Sequence, residues 1–480
     1  MSDRIARRPG NKVVRKRLDA QRVIELTDAP HQSIDKPTST LHAKMFVVAV
    51  VVIFMLGAGL LMLPWATEDG ASTHFVDAMF TSVSAFSVTG LVTVETQEHW
   101  SFFGEIVILI LIQIGGFGFM AGTSLMLIAL GRGSSLRAHM MMQDGSPTMT
   151  LRDASQISMK IVRFMLVTET IGAIILIPHF LRYESFPVAV WWGIFHSISA
   201  FCNAGFDLQG GFVSMSNHNE SPVLLMTVAG LIQFGAISYM VMSDLWSKRR
   251  WKPLHLDSKL VLITNFAMIA ISGVLFMAVE WGSAMNSVEA PWRPLNAVFQ
   301  AVAARTAGFS SADWSVAHNS TMYLWIVIMM VGGAAGSTAG GVKLATIAVV
   351  VMTVMSTVRG QSEPQAFGRR IAAQVVFRAL AIITLFMATH FVLSMMLVMT
   401  EDIMNDERFS FLSLMFEAMS ALATVGLTTG LTPDLSIGGK LVLTLGMFIG
   451  RLGPITVVYA LQNKQKQERY RFAESNIRIG

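Results

Sequence analysis

Apolar runs separated by short polar stretches fill this chain from about residue 43 to about residue 461. Eight of them are long enough to cross roughly 30 Å of hydrocarbon, which takes about 20 residues of helix. They lie at about 43–66, 100–131, 156–182, 222–247, 258–283, 320–358, 370–400 and 438–461. Taken in pairs, they flank four shorter apolar segments at about 75–86, 190–201, 294–304 and 410–422. These segments are too short to span and too apolar for ordinary loops. The pattern predicts re-entrant helices, whose irregular backbone is tolerated at membrane depth only against protein or a water-filled cavity.

Each short segment runs into a glycine-centred motif. The four read Ser87-Val88-Thr89-Gly90-Leu91, Cys202-Asn203-Ala204-Gly205-Phe206, Arg305-Thr306-Ala307-Gly308-Phe309 and Ala423-Thr424-Val425-Gly426-Leu427. Their glycines recur at intervals of 115, 103 and 118 residues, far beyond the period of a solenoid. The expectation is an all-α polytopic membrane protein. Four pseudo-symmetric helix–re-entrant loop–helix repeats surround a central pore, with eight transmembrane helices. The repeats fall at 43–131, 156–247, 258–358 and 370–461, between a basic tail at 1–42 and a second tail at 462–480.

Four such loops on one axis would offer a ring of backbone carbonyls, which replaces a cation's water without binding it as tightly as full charges would. Glycine permits the positive φ this needs and leaves the pore open. Gly90, Gly205, Gly308 and Gly426 are the expected narrowest ring. Val88, Thr89, Asn203, Ala204, Thr306, Ala307, Thr424 and Val425 flank it. The re-entrant helices would point their partly negative C-terminal ends inward, which favours cations. Glu95, Asp207 and Asp313, just beyond three of the motifs, would concentrate cations at the mouth.

The sixth run is interrupted by Gly332-Gly333-Ala334-Ala335-Gly336-Ser337-Thr338-Ala339-Gly340-Gly341. So many glycines, each costing about 1 kcal/mol in a helix, predict a break. At mid-membrane a break belongs beside an aqueous cavity. Gly332, Gly333, Gly336, Ser337, Thr338, Gly340 and Gly341 are therefore expected to form a gate below the ring. Arg451, inside the last run, is a functional residue by position, acting either as an electrostatic barrier or as a tether for the broken helix. Arg305 would oppose conduction if it faced the pore, so it should turn away and pair, with Glu417 as the expected partner.

The chain is 53% hydrophobic and 14% charged, a composition that excludes a soluble protein of this size. A single cysteine, Cys202, excludes an intrachain disulfide framework. The first forty residues are basic and polar, with no apolar core of the signal-peptide kind. Lys and Arg cluster there, near 132–152, at Lys248 to Lys252, at Arg359 to Arg370 and after 463. All these sites fall on one side of an eight-span topology. The positive-inside rule then places both termini in the cytoplasm. No nucleotide-binding fingerprint of either Gly-rich kind is present, and the basic tail reads as topogenic charge, not as a nucleic-acid site.

Taken together, the four motifs, the glycine-rich interruption and Gly450-Arg451-Leu452-Gly453-Pro454 resemble the Trk/Ktr/HKT superfamily of potassium transporters, most closely the membrane subunits of bacterial Ktr systems (KtrB). The resemblance covers about residues 43–462. It implies K+ as the transported ion, Na+ as a possible activator and a bacterial plasma-membrane location. Serine in place of the first filter glycine goes with sodium in the family, so Gly90 implies potassium. It further implies membrane lipid as surroundings, a homodimer with one pore per subunit, and a cytoplasmic nucleotide-binding (ATP/ADP) ring of the KtrA type. The glycine-rich loop becomes the gate and Arg451 part of the barrier. Two rival readings are a secondary cation carrier with alternating access and an intramembrane hydrolase using Ser337 with His196 or His390.

Overall fold

The computed structural model describes residues 38–132, 151–361, 363–401 and 409–453. Both expected tails lie outside these residues, apart from 38–42, which begin the first helix. The basic clusters expected in the tails fall outside them too.

Each repeat consists of an outer helix, a short pore helix and an inner helix. In the first repeat these are Thr38–Leu61, Phe75–Ser87 and Phe102–Arg132. In the second they are Leu151–Phe180, Phe186–Cys202 and Pro222–Ala236, the last continued by Tyr239–Lys248. The third has Leu256–Glu280, Arg293–Ala303 and the split pair Asn319–Met330 and Leu344–Val358. The fourth has Ala373–Thr400, Phe411–Leu422 and Ile437–Leu452. A two-residue hairpin, Gln365–Ala366 against Arg369–Arg370, precedes the last repeat. Phe102–Met120, Gln156–Phe180, Leu256–Glu280 and Ala373–Thr400 are long and apolar enough to cross a membrane, and the bent pair Pro222–Ala236 with Tyr239–Lys248 qualifies as a fifth.

The repeats close into a ring through one packing rule. Each inner helix packs on the pore helix of the following repeat: Phe102–Arg132 on Phe186–Cys202, Pro222–Ala236 on Arg293–Ala303, Asn319–Met330 on Phe411–Leu422, and Ile437–Leu452 back on Phe75–Ser87. Polar contacts pin three of these seams. Trp191 Nε1 donates to Glu105 Oε2 at 2.6 Å, and Asn296 Nδ2 donates to the Asn219 carbonyl at 2.7 Å. Lys440 Nζ meets Asp77 Oδ1 at 2.9 Å, joining the last helix to the first pore helix. The seam between repeats three and four is aromatic, with Trp314 and Phe416 5.5 Å apart between ring centroids.

Within a repeat, the inner helix also meets its own pore helix through a glycine. A Cβ on Gly115 would overlap the Phe86 carbonyl, one on Gly235 the Phe201 carbonyl, and one on Gly450 the Leu422 carbonyl. Those three carbonyls lie four residues before the motif glycines. Gly332 holds the equivalent place in the third repeat, 24 residues after its motif glycine as Gly450 is after Gly426. There the helix has already ended, and the Gly332 Cβ direction is filled by the Gly340 carbonyl.

The expected continuous helix over 222–247 is corrected. It bends by 95° between its two halves, because the carbonyls of Gly235 and Ala236 are turned to other donors. Thr338 N–H donates to Gly235 at 3.1 Å and Ala334 N–H donates to Ala236 at 2.8 Å. The expected break in 320–358 is present, and the expected re-entrant helices sit within a few residues of their predicted limits.

Gly115→Val should lower the melting temperature of the purified protein sharply, since its Cβ meets backbone that cannot swing aside. Overpacking of this kind costs about 1–3 kcal/mol. Gly118→Ala, with nothing within 4 Å of its Cβ, should leave melting unchanged. Equal melting of the two variants in a thermal-shift assay would refute the close approach.

Candidate functional site

The pore helices end in a shared turn. Val88 N–H donates to Ala85 O and Thr89 N–H to Ser84 O. The same pair recurs as Asn203 to Ala200 with Ala204 to Ser199, and as Thr424 to Ala421 with Val425 to Ser420. This is the Schellman arrangement, which normally places glycine at the left-handed position. Here that position holds Val88 (φ 52°), Asn203 (φ 61°) and Thr424 (φ 51°), and the third repeat has Thr306 at φ 68°. β-branched residues rarely adopt positive φ. Each such site stores about 1–3 kcal/mol of strain, which surrounding structure must hold in place.

Two residues further on come the glycines, again left-handed: Gly90 (φ 89°), Gly205 (φ 72°), Gly308 (φ 74°) and Gly426 (φ 92°). They meet in a closed cycle. A Cβ on Gly90 would overlap the Ala204 carbonyl oxygen; one on Gly205 would lie 2.7 Å from the Ala307 oxygen; one on Gly308 would lie 2.6 Å from the Val425 oxygen. One on Gly426 would overlap the Thr89 oxygen. The sequence-predicted residues of all four motifs are therefore gathered at one place, in the order of the repeats.

Side chains of the pore helices brace the loops. Ser84 Oγ accepts from Gly90 N–H at 3.2 Å and Ser420 Oγ accepts from Gly426 N–H at 3.0 Å. Ser199, at the same offset, donates to the Phe206 carbonyl at 2.6 Å. Beyond the glycines, His196 Nε2 accepts from Leu208 N–H at 3.3 Å and Glu417 Oε1 from Thr429 N–H at 2.8 Å. With its amide oxygen turned to the backbone, Gln300 accepts from Ser311 N–H at 2.7 Å. In all three cases the bonded N–H is the third after the glycine. Sequence reasoning missed both sets. The serine six residues before the glycine in three of four motifs was the available signal.

On one side the glycines floor a cavity of about 620 Å³, walled by Glu95, Asp207, Asp313 and Asp434 among others. Glu95 Oε2 accepts from Phe212 N–H at 2.8 Å, which fixes a loop over this cavity. Burial, aided by the nearby charge of Asp207, pushes the Glu95 carboxyl up to about 7. On the other side lies the glycine-rich loop, residues 331–343. Val331 and Val342 bridge in parallel, so the loop leaves and rejoins the helix path at one level. Gly340 abuts the fourth motif, since a Cβ there would overlap Thr424 Oγ1.

The family comparisons match this architecture. A family model described as TrkH, cation transport protein, matches residues 23–471. The chain belongs to the TrkH family of cation transport proteins. It is 35% identical to the potassium/sodium uptake protein NtpJ of Enterococcus hirae, over 89% of this chain and 95% of that one. It is likewise 35% identical to the Ktr system potassium uptake protein B of Vibrio alginolyticus, over 87% of this chain and 90% of the relative. The crystal structure of the potassium transporter TrkH from Vibrio parahaemolyticus shares the fold with a TM-score of 0.70 at 19% identity, covering 89% of this chain and 86% of that one. These relatives are named as uptake proteins and transporters, not as enzymes.

In this TrkH-family chain three cations hold the carbonyls of the glycine-rich loop. Arg305 Nη2 donates to the Gly332 carbonyl at 2.8 Å. Arg451 Nη1 donates to the Thr338 carbonyl and its Nη2 to the Gly115 carbonyl, both at 2.7 Å. Lys343 Nζ donates to the Ala339 carbonyl at 2.5 Å. Arg305 turns away from the ring, as expected, but its expected partner is corrected. Its other nitrogen bonds Asn265 Oδ1, while Glu417 is taken by Thr428, Thr429 and Thr432. A guanidinium behind the third loop reaches the outer helix of its own repeat, Leu256–Glu280, which packs on the third pore helix. Arg451 joins the loop to the first inner helix through its two bonds. The Ser337 hydroxyl donates to the Ala334 carbonyl, and His196 and His390 are bonded elsewhere, so no nucleophile–base pair forms.

The raised Glu95 group is charged above about pH 7 and neutral below it, so the cavity loses a negative charge on acidification. Cation uptake at limiting concentration should fall about threefold to tenfold between pH 8 and pH 6. Glu95→Gln should be low, with a shallower fall confined to the acid end, where Asp207, raised by burial to about 6, begins to lose its charge. A variant that keeps the wild-type profile would remove Glu95 as the cause.

Proposed function

We propose that the chain is the ion-conducting subunit of a potassium uptake system, with channel-like permeation through the four glycine-centred loops. One observation carries the reading: each motif glycine is packed against the carbonyl of the next repeat's motif, and the cycle closes from the fourth repeat onto the first. Left-handed residues at alternate positions undo the strand habit of sending successive carbonyls to opposite sides. Carbonyls from the four loops of this one chain can then face one axis and take the place of an ion's water. The acidic cavity outside supplies cations. The names of the relatives, which take up potassium or potassium and sodium, favour K+ as cargo, with Na+ as cargo or activator.

The glycine-rich loop from Gly332 to Gly341 is the gate in this reading, and Arg305, Lys343 and Arg451 hold it shut below the ring. The topology is eight spans in four units, 43–131, 156–247, 258–358 and 370–461, in a bacterial plasma membrane with both termini cytoplasmic. The Ktr name of one relative supports a partner subunit, which we take to be a cytoplasmic nucleotide-binding ring acting on a homodimer. A carrier with alternating access would differ by a saturating, low unit rate.

The deciding experiment is potassium or rubidium uptake in a transport-deficient cell. Gly90→Ser should lower the preference for potassium over sodium about tenfold or more, because its side chain enters a ring with no room for a Cβ. Unchanged selectivity would sink the filter reading. Shortening the loop within Gly332 to Gly341 should raise flux several-fold and loosen its dependence on nucleotide. Zero flux in a correctly inserted protein would count against the gate.

A further inference from the structure

The 95° elbow of the second repeat opens a groove of about 670 Å³ on the outside of the ring. Its walls include Phe234, Ile237, Leu245, Trp251, Leu262 and Phe266. Apart from Gln233 and the Trp251 indole N–H, every lining group is apolar. The groove runs between apolar helices that face hydrocarbon, so an acyl tail fills it by composition alone. What singles out a lipid is the charge at one end. The turn that joins Leu245 to Trp251 carries Lys248, Arg249 and Arg250, and Lys252 follows. Lys248 is taken by Asp244 at 2.6 Å. Arg249, Arg250 and Lys252 are exposed, and neither guanidinium has a protein partner among the described residues. Trp251, 46% exposed, stands where tryptophan favours the membrane–water boundary.

We propose that this groove is a binding site for one anionic phospholipid, its tail along the elbow and its phosphate on Arg249, Arg250 and Lys252. The site is joined to the glycine-rich loop by two routes. Gln233 of the groove wall accepts from Asn265 Nδ2 at 2.9 Å, and Asn265 Oδ1 is bonded by Arg305, which holds the Gly332 carbonyl. The elbow residues Gly235 and Ala236 themselves accept from Thr338 and Ala334 of the loop. A tail wedged in the elbow therefore stabilises the bend that anchors the loop. This regulatory half rests on the gate reading above; the binding half does not.

The test uses the full chain and native mass spectrometry in an equimolar mixture of phosphatidylglycerol and phosphatidylcholine. Wild type should retain one phosphatidylglycerol about tenfold or more in preference, as three basic groups at a membrane surface would give. Gly230→Trp places an indole at the groove wall, from a position where nothing lies within 4 Å of a Cβ. It should lose the retained lipid while melting normally. The triple variant R249Q/R250Q/K252Q should lose the preference but not the tail. Equal retention of the two lipids, preference surviving in Gly230→Trp, or a lipid-free dimer that this variant splits would each overturn the site. In liposomes, adding phosphatidylglycerol should change wild-type flux threefold or more and leave Gly230→Trp unmoved. Retained lipid with unmoved wild-type flux would overturn the coupling. Absence of cation flux in every lipid would instead strike the transport reading.

Discussion

Backbone must approach backbone at the centre of this molecule, and only glycine allows it. The ring of Gly90, Gly205, Gly308 and Gly426 leaves no space for a Cβ at any of its four joints. A second tier, Gly115, Gly235 and Gly450, lets three of the four inner helices rest on the carbonyl at the end of their own pore helices. These contacts fix how deep each loop sits. The strained left-handed residues two positions earlier, Val88 and Thr424 above all, hold only because both tiers confine them. The serine, histidine, glutamine and glutamate braces add directed hydrogen bonds to loops that Leu91, Phe206, Phe309 and Leu427 anchor in the core. In a buried loop the N–H groups that the backbone turn does not satisfy need such side-chain partners.

The fourfold plan is broken at one level. In the first repeat the inner helix runs on past its glycine, in the second it bends, and in the third it leaves helical form altogether. The reason lies in who uses the carbonyls. A helix continues when its carbonyls accept from the next turn; those of Gly235 and Ala236 accept from the glycine-rich loop instead, and that of Met330 accepts from Val342 N–H at the far end of the loop. The arginine that looked anomalous in the third motif then holds the Gly332 carbonyl, two residues past the end of the third inner helix.

Much of this was legible in the sequence. Hydropathy located the pore helices because an apolar run too short to span has few other uses, and the glycine recurrence located the ring because positive φ at membrane depth has few other sources. The interruption at Gly332 to Gly341 announced itself by composition. The elbow after Ala236 did not. Its cause is a set of hydrogen bonds from residues about a hundred positions away, and Ile237-Ser238 carries no breaker. Partners of buried cations were equally hidden. Glu417 looked like a mate for Arg305 on charge, yet four donors from its own repeat satisfy it, and nothing in the local pattern marked the uncharged Asn265, on the outer helix of Arg305's own repeat, as the partner. The basic tail expected at 1–42 falls mainly outside the described residues.

How firmly the loop is held bears on whether it can move. It has almost no side chains to bury, so hydrophobic packing contributes little to its position. What holds it is a set of hydrogen bonds: charge-assisted ones from Arg305, Arg451 and Lys343, each worth about 1.5–3 kcal/mol net, and the backbone bonds of Thr338 and Ala334 to the elbow, each worth about 0.5–1.5 kcal/mol. Moving a two-state element from almost wholly closed to almost wholly open takes about 5.5 kcal/mol of differential binding. Releasing two such bonds is within that range, whereas displacing a loop anchored by several buried leucines or phenylalanines, at about 1.5–3 kcal/mol each, would exceed it. Small residues at 332–341 therefore let the loop fit beneath the ring, and in the gate reading proposed above they also keep the energy of moving it low. Arg451 adds the last element. Its two donors span the loop and the first inner helix at Gly115, so the loop cannot shift without disturbing the tier of glycines on which the ring rests.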